Sequence, residues 1–425
     1  MRAPLLAFFI SSTALAGGFA VGEQDAAATG RAGTGTGALT GASSVHYNPA
    51  HLSRLFSIDA AAGGTGIMPT ATAIDPETGS AQSANPGVRL PPHLYAGYGN
   101  GKWGVGAGVN APFGGGLRWG DDFRGRFEIV EQNLQVLAAH GGFGYQLLPQ
   151  LSVGGTLHVY RATVGVERQV DFVSHEGTAI LQGSGVGVGG SLGLSFAPSE
   201  HLRFGLTGRL PTKVSLKGQA HFEDVPASFN DQARDGAITA TLPLPGRAAL
   251  GMAMYLEEVR LFADVDYTMW SAFDRFAVDF AHAGSSDVDQ ARNWKNAFGV
   301  RLGAERDLNV RTLVRAGLLF DQKTSPADTL SPSLPDSDRV GASVGLGYDL
   351  GPVRGDLSYM FILFVPRASE GEAFPAQYRA SAHLLALTVR LGTPPGVARR
   401  SADISDNREI TAPPLPGSGM DAPGS

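Results

Sequence analysis

The sequence predicts an all-β protein, a transmembrane antiparallel β-barrel of about fourteen strands, and three observations carry that expectation. After residue 56, segments of roughly ten residues alternate apolar and polar side chains; their connections are alternately short and long; and the chain begins with an export signal. Leu151-Ser152-Val153-Gly154-Gly155-Thr156-Leu157-His158-Val159 shows the alternation, as does Leu202-Arg203-Phe204-Gly205-Leu206-Thr207-Gly208-Arg209-Leu210. Successive strand side chains point to opposite faces, so each such strand is wet on one face and apolar on the other. A soluble sandwich covers its apolar faces with a second sheet, whereas a membrane barrel turns them to lipid. Only the barrel gives a reason for loop lengths that alternate so regularly.

Composition agrees. Hydrophobic residues make up 43% of the 425 residues, yet mean hydropathy is only -0.02, as expected when every second strand residue is apolar. Charged residues are 17%, below the roughly 25% usual in soluble domains, and the 58 glycines are near twice the usual ~7% share. A net charge of -6 argues against a nucleic-acid partner. With no cysteine, disulfides are excluded, and closing the sheet on itself is the remaining way to leave no edge unpaired.

Four regions follow in order. Residues 1–16 read as a signal peptide: Arg2, an apolar run Leu5 to Ile10, and Ala14-Leu15-Ala16 before the cleavage point. Residues 17–56 are rich in small residues and lack strand periodicity. Residues 57–391 carry the strands, expected near 57–68, 90–99, 102–111, 134–146, 151–168, 185–197, 202–218, 243–256, 259–269, 294–306, 310–320, 339–350, 353–365 and 379–391. Residues 392–425, rich in Pro, Gly, Ser and Asp, read as a disordered periplasmic tail. Aromatic residues near strand ends, among them Tyr95, Tyr98, Phe143, Trp270, Tyr348 and Tyr359, suit interfacial girdles.

Two enzyme-like strings, Gly189-Gly190-Ser191-Leu192-Gly193 and Gly185-x-Gly187-x-x-Gly190, fall inside a glycine-rich strand and lack the strand-to-helix setting their chemistry needs. The histidines do not cluster with carboxylates at metal-ligand spacing, so no metal, cofactor or enzymatic activity is expected. By parity, Arg203, Arg209, Asp264, Asp266, Arg301, Arg311, Arg315 and Asp356 fall on lumen-facing positions. Mutual pairing is their plain reading; a carboxylate ligand held by one or two arginines is the functional one.

The segment Val45-His46-Tyr47-Asn48-Pro49-Ala50-His51-Leu52 resembles the Asn-Pro-Ala stretch of the FadL family, outer-membrane transporters of long-chain fatty acids and other hydrophobic compounds. The resemblance continues in order through Asn110-Ala111-Pro112-Phe113-Gly114, Asp122-Phe123-Arg124-Gly125-Arg126, Val166-Glu167-Arg168, Asp266 to Phe273, Leu318-Leu319-Phe320-Asp321 and Pro335 to Arg339. It implies that residues 17–56 form a plug, or hatch, inside the lumen. It also implies an outer groove, a deeper ligand site, release by rearrangement of the extreme N-terminus, and lateral exit where the third strand kinks inward. Pro112, Phe113, Gly114 and Gly115 lie at that kink; Pro112 cannot donate to a ladder and the glycines weaken pairing.

By the same resemblance, Arg168 matches the arginine near the ligand carboxylate, Asn48, Pro49 and Ala50 match the hatch motif, and Asp321 matches an aspartate of the wall. The lysine expected near the deep site falls around Gln290, with Arg292 and Lys295 as replacements. The last strand, Leu385-Ala386-Leu387-Thr388-Val389-Arg390-Leu391, is followed by the tail, whereas such barrels usually end there on an aromatic residue.

The function implied is passive uptake of hydrophobic molecules across a Gram-negative outer membrane, long-chain fatty acids first. Aromatic or other uncharged hydrocarbons by the same route, or a structural or adhesion barrel, are the alternatives. The expected partners are a hydrophobic small molecule, outer-membrane lipid and lipopolysaccharide, and the barrel-assembly machinery, with a monomeric chain and both termini periplasmic. An open diffusion porin is disfavoured by the glycine-rich residues 17–56.

Overall fold

A computed structural model describes residues 18–392 apart from 86, 174, 283, 285, 286, 372 and 373; the expected signal peptide and the expected tail beyond Gly392 lie outside the described residues. Alternation at period two builds a closed sheet of fourteen antiparallel strands. The first half comprises β1 (Ile58–Ile74), β2 (Ala81–Ser83 and Pro92–Gly99), β3 (Trp103–Arg118), β4 (Glu131–Leu148), β5 (Leu151–Asp171) and β6 (Glu176–Phe196). Then come β7 (Leu202–Arg209 and Thr212–Glu223), β8 (Gly236–Leu244 and Arg247–Tyr255), β9 (Val259–Thr268 and Arg275–Phe280) and β10 (Val288–Ala291 and Ala297–Asp307). The wall ends with β11 (Thr312–Asp321), β12 (Arg339–Asp349), β13 (Val353–Ala368) and β14 (Gln377–Gly392). Each strand pairs with the next, and β14 returns to β1 in continuous register from Asp59↔Gly392 to Ile74↔Gln377. No sheet edge is left along that seam.

The wall is inside-out relative to a soluble protein. Leu157, Leu192, Leu302, Leu318, Val344 and Leu387 are exposed on the outside, whereas Asp264, Arg315 and Asp356 are buried within. Only a lipid environment stabilises that arrangement. No described helix is long and apolar enough to cross a membrane.

Three differences from the sequence expectation have physical causes. First, several strands run past the expected ends at the long-loop rim. β5 and β6 are 21 residues each, so the connection expected over 169–184 shrinks to 172–175. A bilayer takes only about 9–11 residues of a tilted strand, and polar extensions carry the sheet beyond it. Second, β7 to β10 are interrupted at one level, at 210–211, 245–246, 269–274 and 292–296. Pro211 and Pro245 cannot donate to the ladder, and a 3-10 turn at Trp270–Ala272 carries Trp270 into the lumen, where it is 1% exposed. Trp270 and Tyr95 are thus interior residues and not girdle residues, while Tyr98, Phe143, Tyr348 and Tyr359 do face outward. Third, Arg311 lies in an exposed turn and not on the wall.

Residues 18–55 sit within the barrel as short helical turns: α1 (Ala26–Thr29), a 3-10 turn (Gly41–Ser43), α2 (Ser44–Tyr47) and a 3-10 helix (Pro49–Arg54). None of these is long enough to be stable alone, so packing against the wall must hold them. Wall glycines let the two backbones approach: a Cβ on Gly104 would overlap the Leu52 carbonyl, and one on Gly205 the Thr36 carbonyl.

Candidate functional site

The plug is fastened by charge. Arg390 on β14 donates to Asp25 at 2.8 Å and to Asp59 at 3.1 Å, and Arg31 pairs with Glu305 at 2.6 Å. Asp25 also caps α1 through the Ala27 amide. Burial alone would raise the Asp25 carboxyl, but the Arg390 guanidinium outweighs it and holds the group below the usual carboxylate range. On β9, one oxygen of Asp264 accepts the Gly35 and Thr36 amides, each at 2.9 Å. Around these, Arg315 links Glu305 and Asp356, while Arg301 links Asp266 and Asp321, and Arg339 adds a longer contact to Asp321. Most lumenal charges are therefore paired with one another.

Asn48 joins plug and wall without charge. Its Nδ2 donates to the Thr36 carbonyl of the plug at 2.9 Å and to the Leu194 carbonyl of β6 at 3.0 Å. Its Oδ1 accepts the Ala50 amide, an N-cap with Pro49 in the first turn, where a missing N–H is harmless.

The first described residues are held differently. Gly18 has φ 66° and is wedged against Trp294 and Trp270, where a Cβ would overlap both rings. Phe19 is 1% exposed, with ring centroids 4.7 Å from Trp270, 5.5 Å from Phe273, 6.0 Å from Trp294 and 6.1 Å from Phe113. Its carbonyl accepts the Gly114 amide at 2.8 Å, and the Val21 amide donates to the Pro112 carbonyl at 2.9 Å. Residues 19–21 thereby act as a short extra strand on β3. They supply partners that β2 does not, because β2–β3 pairing runs only from Leu94↔Val109 to Gly99↔Gly104. On the other side of β3, a register shift between Asn110 and Phe113 sets Ala111 and Pro112 against the single residue Leu137 of β4, and Asn110 to Gly116 are all buried. An added residue in one strand bends it and breaks its alternation.

Phe19 stands between two chambers. Above it, toward the long loops, lies a cavity of about 720 Å³ walled largely by apolar side chains such as Leu134, Val164, Leu181, Leu242, Phe273 and Phe276. Arg168, Gln290 and Arg292 line the same cavity. The Arg292 Nη1 donates to Ser331 Oγ at 2.9 Å and its Nη2 to Gln290 Oε1 at 3.0 Å, both neutral acceptors, while its buried Nε has no partner among the described residues. Below Phe19, a second cavity of about 750 Å³ is lined by His46, Arg209, Arg247, Asp266, Arg301 and Asp321. One chamber is largely apolar, with two arginines and Glu128 at its lining; the other is polar.

The candidates named from sequence thus fall in distinct places. Arg168 and Arg292 share the upper cavity; Lys295 is exposed and outside it, its backbone amide donating to Thr324. Asp321 belongs to the wall network, and Pro112 to Gly115 lie at the inward bend. Sequence reading missed Phe19 and its seat of Trp270, Phe273 and Trp294. The signal available was a lone aromatic residue just past the expected signal peptide.

A family described as outer membrane protein transport protein (OMPP1/FadL/TodX) matches residues 7–392 of the chain. The long-chain fatty acid transport protein of Salmonella typhi is 24% identical over 374 residues, covering 80% of this chain and 85% of that protein. The 47 kDa outer membrane protein of Pasteurella multocida is 26% identical over 410 residues, covering 89% and 95%. Among solved structures, a Pseudomonas aeruginosa FadL homologue superposes with a TM-score of 0.79 at 18% identity, over 88% of this chain and 99% of that one. The Pseudomonas putida toluene transporter TodX superposes at 0.71 and 20% identity, over 85% and 96%. At these identities the superpositions speak for the fold.

Proposed function

The chain belongs to the outer membrane protein transport family (OMPP1/FadL/TodX), and from that premise we propose that it takes up amphiphiles with an acidic head and an apolar tail, long-chain fatty acids foremost. Transport of hydrophobic compounds across the outer membrane is common ground for fatty acid and hydrocarbon carriers. One observation favours the acid: Arg292, buried at the rim of an apolar chamber, is bonded only to neutral oxygens. The one carboxylate lining the same cavity, Glu128, makes no ion pair with Arg292 among the described residues and offsets the cost of burying the cation only in part, so a ligand carboxylate would compensate it. Arg168, in the same chamber, supplies a second donor. The tail would lie among Leu134, Val164, Leu181 and Phe276, each buried methylene contributing about 0.8 kcal/mol. An uncharged hydrocarbon would leave both arginines as they are.

The route runs from the long-loop side into the upper chamber, past Phe19, and sideways through the wall beside β3. The short-turn rim and both termini are periplasmic, residues 17–56 act as the hatch, and the barrel works as a monomer in lipid and lipopolysaccharide after delivery by the assembly machinery. The deciding experiment titrates hexadecanoate and hexadecan-1-ol against wild type, Arg292→Gln and Arg168→Ala. The acid should weaken about ten- to a hundredfold in Arg292→Gln, the value of a charge-assisted hydrogen bond, and less in Arg168→Ala, whereas the alcohol should change less than about twofold. Equal losses for both ligands would mean that the arginines are structural and favour a hydrocarbon carrier.

A further inference from the structure

Beside the inward bend of β3 the wall contains a second cation that the fold does not explain. Arg89 lies in the stretch between the two pieces of β2, where the chain pairs with β1 through an exchange with Ile67: Ile67 N–H to Arg89 carbonyl at 2.8 Å and Arg89 N–H to Ile67 carbonyl at 2.9 Å. On its other side this stretch meets β3 at Asn85–Arg118 and not again until Leu94–Val109. Between those contacts no ladder bond to β3 is made among the described residues. Val88 and Leu90, on either side of Arg89, are exposed, as lipid-facing residues are.

The Arg89 side chain occupies this opening. Directly paired residues of antiparallel strands point to the same face, and the Ile67 side chain is fully buried, so the Arg89 side chain starts on the inner face. Its guanidinium nevertheless comes within 3.4 Å of where a Cβ on Gly116 would stand. Gly116 pairs with Asn133, one place out of phase with the inward Leu134, so that Cβ direction is outward. The side chain therefore threads the opening from inside to outside and lies against Gly116. A cavity of about 520 Å³ leads from Gly18 and Trp294 in the interior to this same Gly116 and Leu117. Two polar atoms at the opening are buried without a partner among the described residues, Arg89 Nε and Asn133 Oδ1. The nearest acidic group along β4, Glu131, is engaged by Arg118 at 2.6 Å.

We propose that Arg89 determines specificity at the lateral exit: its guanidinium closes the opening between β2 and β3 over Gly116 and receives the acidic head of a ligand as the head follows its tail into the outer leaflet. The inference rests on the acidic-ligand reading and lateral route given above. An ionisable side chain inside the wall of a membrane protein is expected to face a pathway. An arginine serving only as an interfacial anchor would extend its head to the lipid headgroups, instead of burying its Nε between two strands. The tail of an amphiphile passes an apolar gap without help; its carboxylate does not, and a cation at the midpoint of the gap lowers that barrier.

The test uses the full-length protein in cells, at equal surface amounts, and measures uptake of hexadecanoate and hexadecan-1-ol by wild type, Arg89→Met and Arg89→Lys. Arg89→Met keeps the length and removes the charge. Acid uptake should fall about three- to tenfold, the scale of a partly exposed charge-assisted contact, with alcohol uptake unchanged or raised, and Arg89→Lys should retain most of the wild-type ratio. Equal changes for acid and alcohol, or no change in the ratio, would overturn the proposal. Binding by purified Arg292→Gln separates it from the reading beneath: loss of acid binding there with an unmoved Arg89→Met ratio removes only the exit role. Unaltered binding there with a shifted ratio removes the deep site and leaves Arg89. Should Arg89→Met fail to reach the surface, Arg89→Gln removes the same charge with a polar side chain and should shift the ratio in the same direction; an unmoved ratio in that variant overturns the proposal.

Discussion

The body of the plug and its first residues are attached to the same barrel by different physics. Residues 23–55 are tied by Asp25–Arg390, Arg31–Glu305 and the Asp264 carboxylate, all buried. Residues 18–21 are held by aromatic contact around Phe19 and two backbone hydrogen bonds to β3. The difference bears on which part a ligand could move. An alkyl tail entering the seat of Trp270, Phe273 and Trp294 replaces one apolar occupant by another, so little net burial is lost. No hydrophobic ligand can stand in for Arg390, because withdrawing it would strand two buried carboxylates. We propose on this ground that residues 18–21 are the gate and the rest of the plug is its frame.

The largest expected effect comes from breaking the frame. Arg390→Met leaves Asp25 and Asp59 buried without their cation, which costs about 3–5 kcal/mol, enough to release the plug from β14. Single-channel recording of purified protein should show large, long-lived openings that the wild type lacks, with the barrel still folded by its heat-modified mobility. Wild-type conductance in this variant would place the lock elsewhere.

Phe19→Ala should act on the gate alone. Losing a buried phenylalanine costs about 3–5 kcal/mol in a rigid core, but at a chain end the neighbours can relax, and the wall does not depend on it. Basal passage of a small apolar dye should rise several-fold, while the large conductance of Arg390→Met should not appear and thermal unfolding of the barrel should barely move. If both variants open equally wide channels, the two attachments are equivalent and the distinction between gate and frame fails.

The comparison also explains what could be read from the sequence. The strands and their order follow from local alternation and turn residues, and the paired lumenal charges follow from parity, because strand geometry turns sequence position into a face. Arg168 and Arg292 came from resemblance, and their convergence on one cavity depends on long-range register that no local pattern reports. Trp270 was legible as an aromatic near a strand end, but the turn that swings it inward depends on partners 250 residues away at Gly18 and Phe19. Arg89 was not legible as a wall residue: Pro86, Gly87 and Pro91 signal an interrupted strand, but not that β2 stays with β1 there and parts from β3.

The smallest effect is expected at the joint between frame and wall. Asn48→Ala removes two donors, to Thr36 and Leu194, and the cap on Ala50. A lost cap costs about 1 kcal/mol and each hydrogen bond about 0.5–1.5 kcal/mol, so the loosened plug should become at least about thirtyfold more populated while the ion pairs of the frame persist. Dye leak at equal surface expression should rise by less than in Phe19→Ala, and uptake of hexadecanoate should change measurably. Asn48→Asp divides the effect further, since a carboxylate keeps the cap acceptor but cannot donate to either carbonyl. If Asn48→Asp behaves as wild type, Asn48 only shapes the turn before Pro49. If it leaks like Asn48→Ala, the bridge between plug and β6 is what restrains the gate's frame.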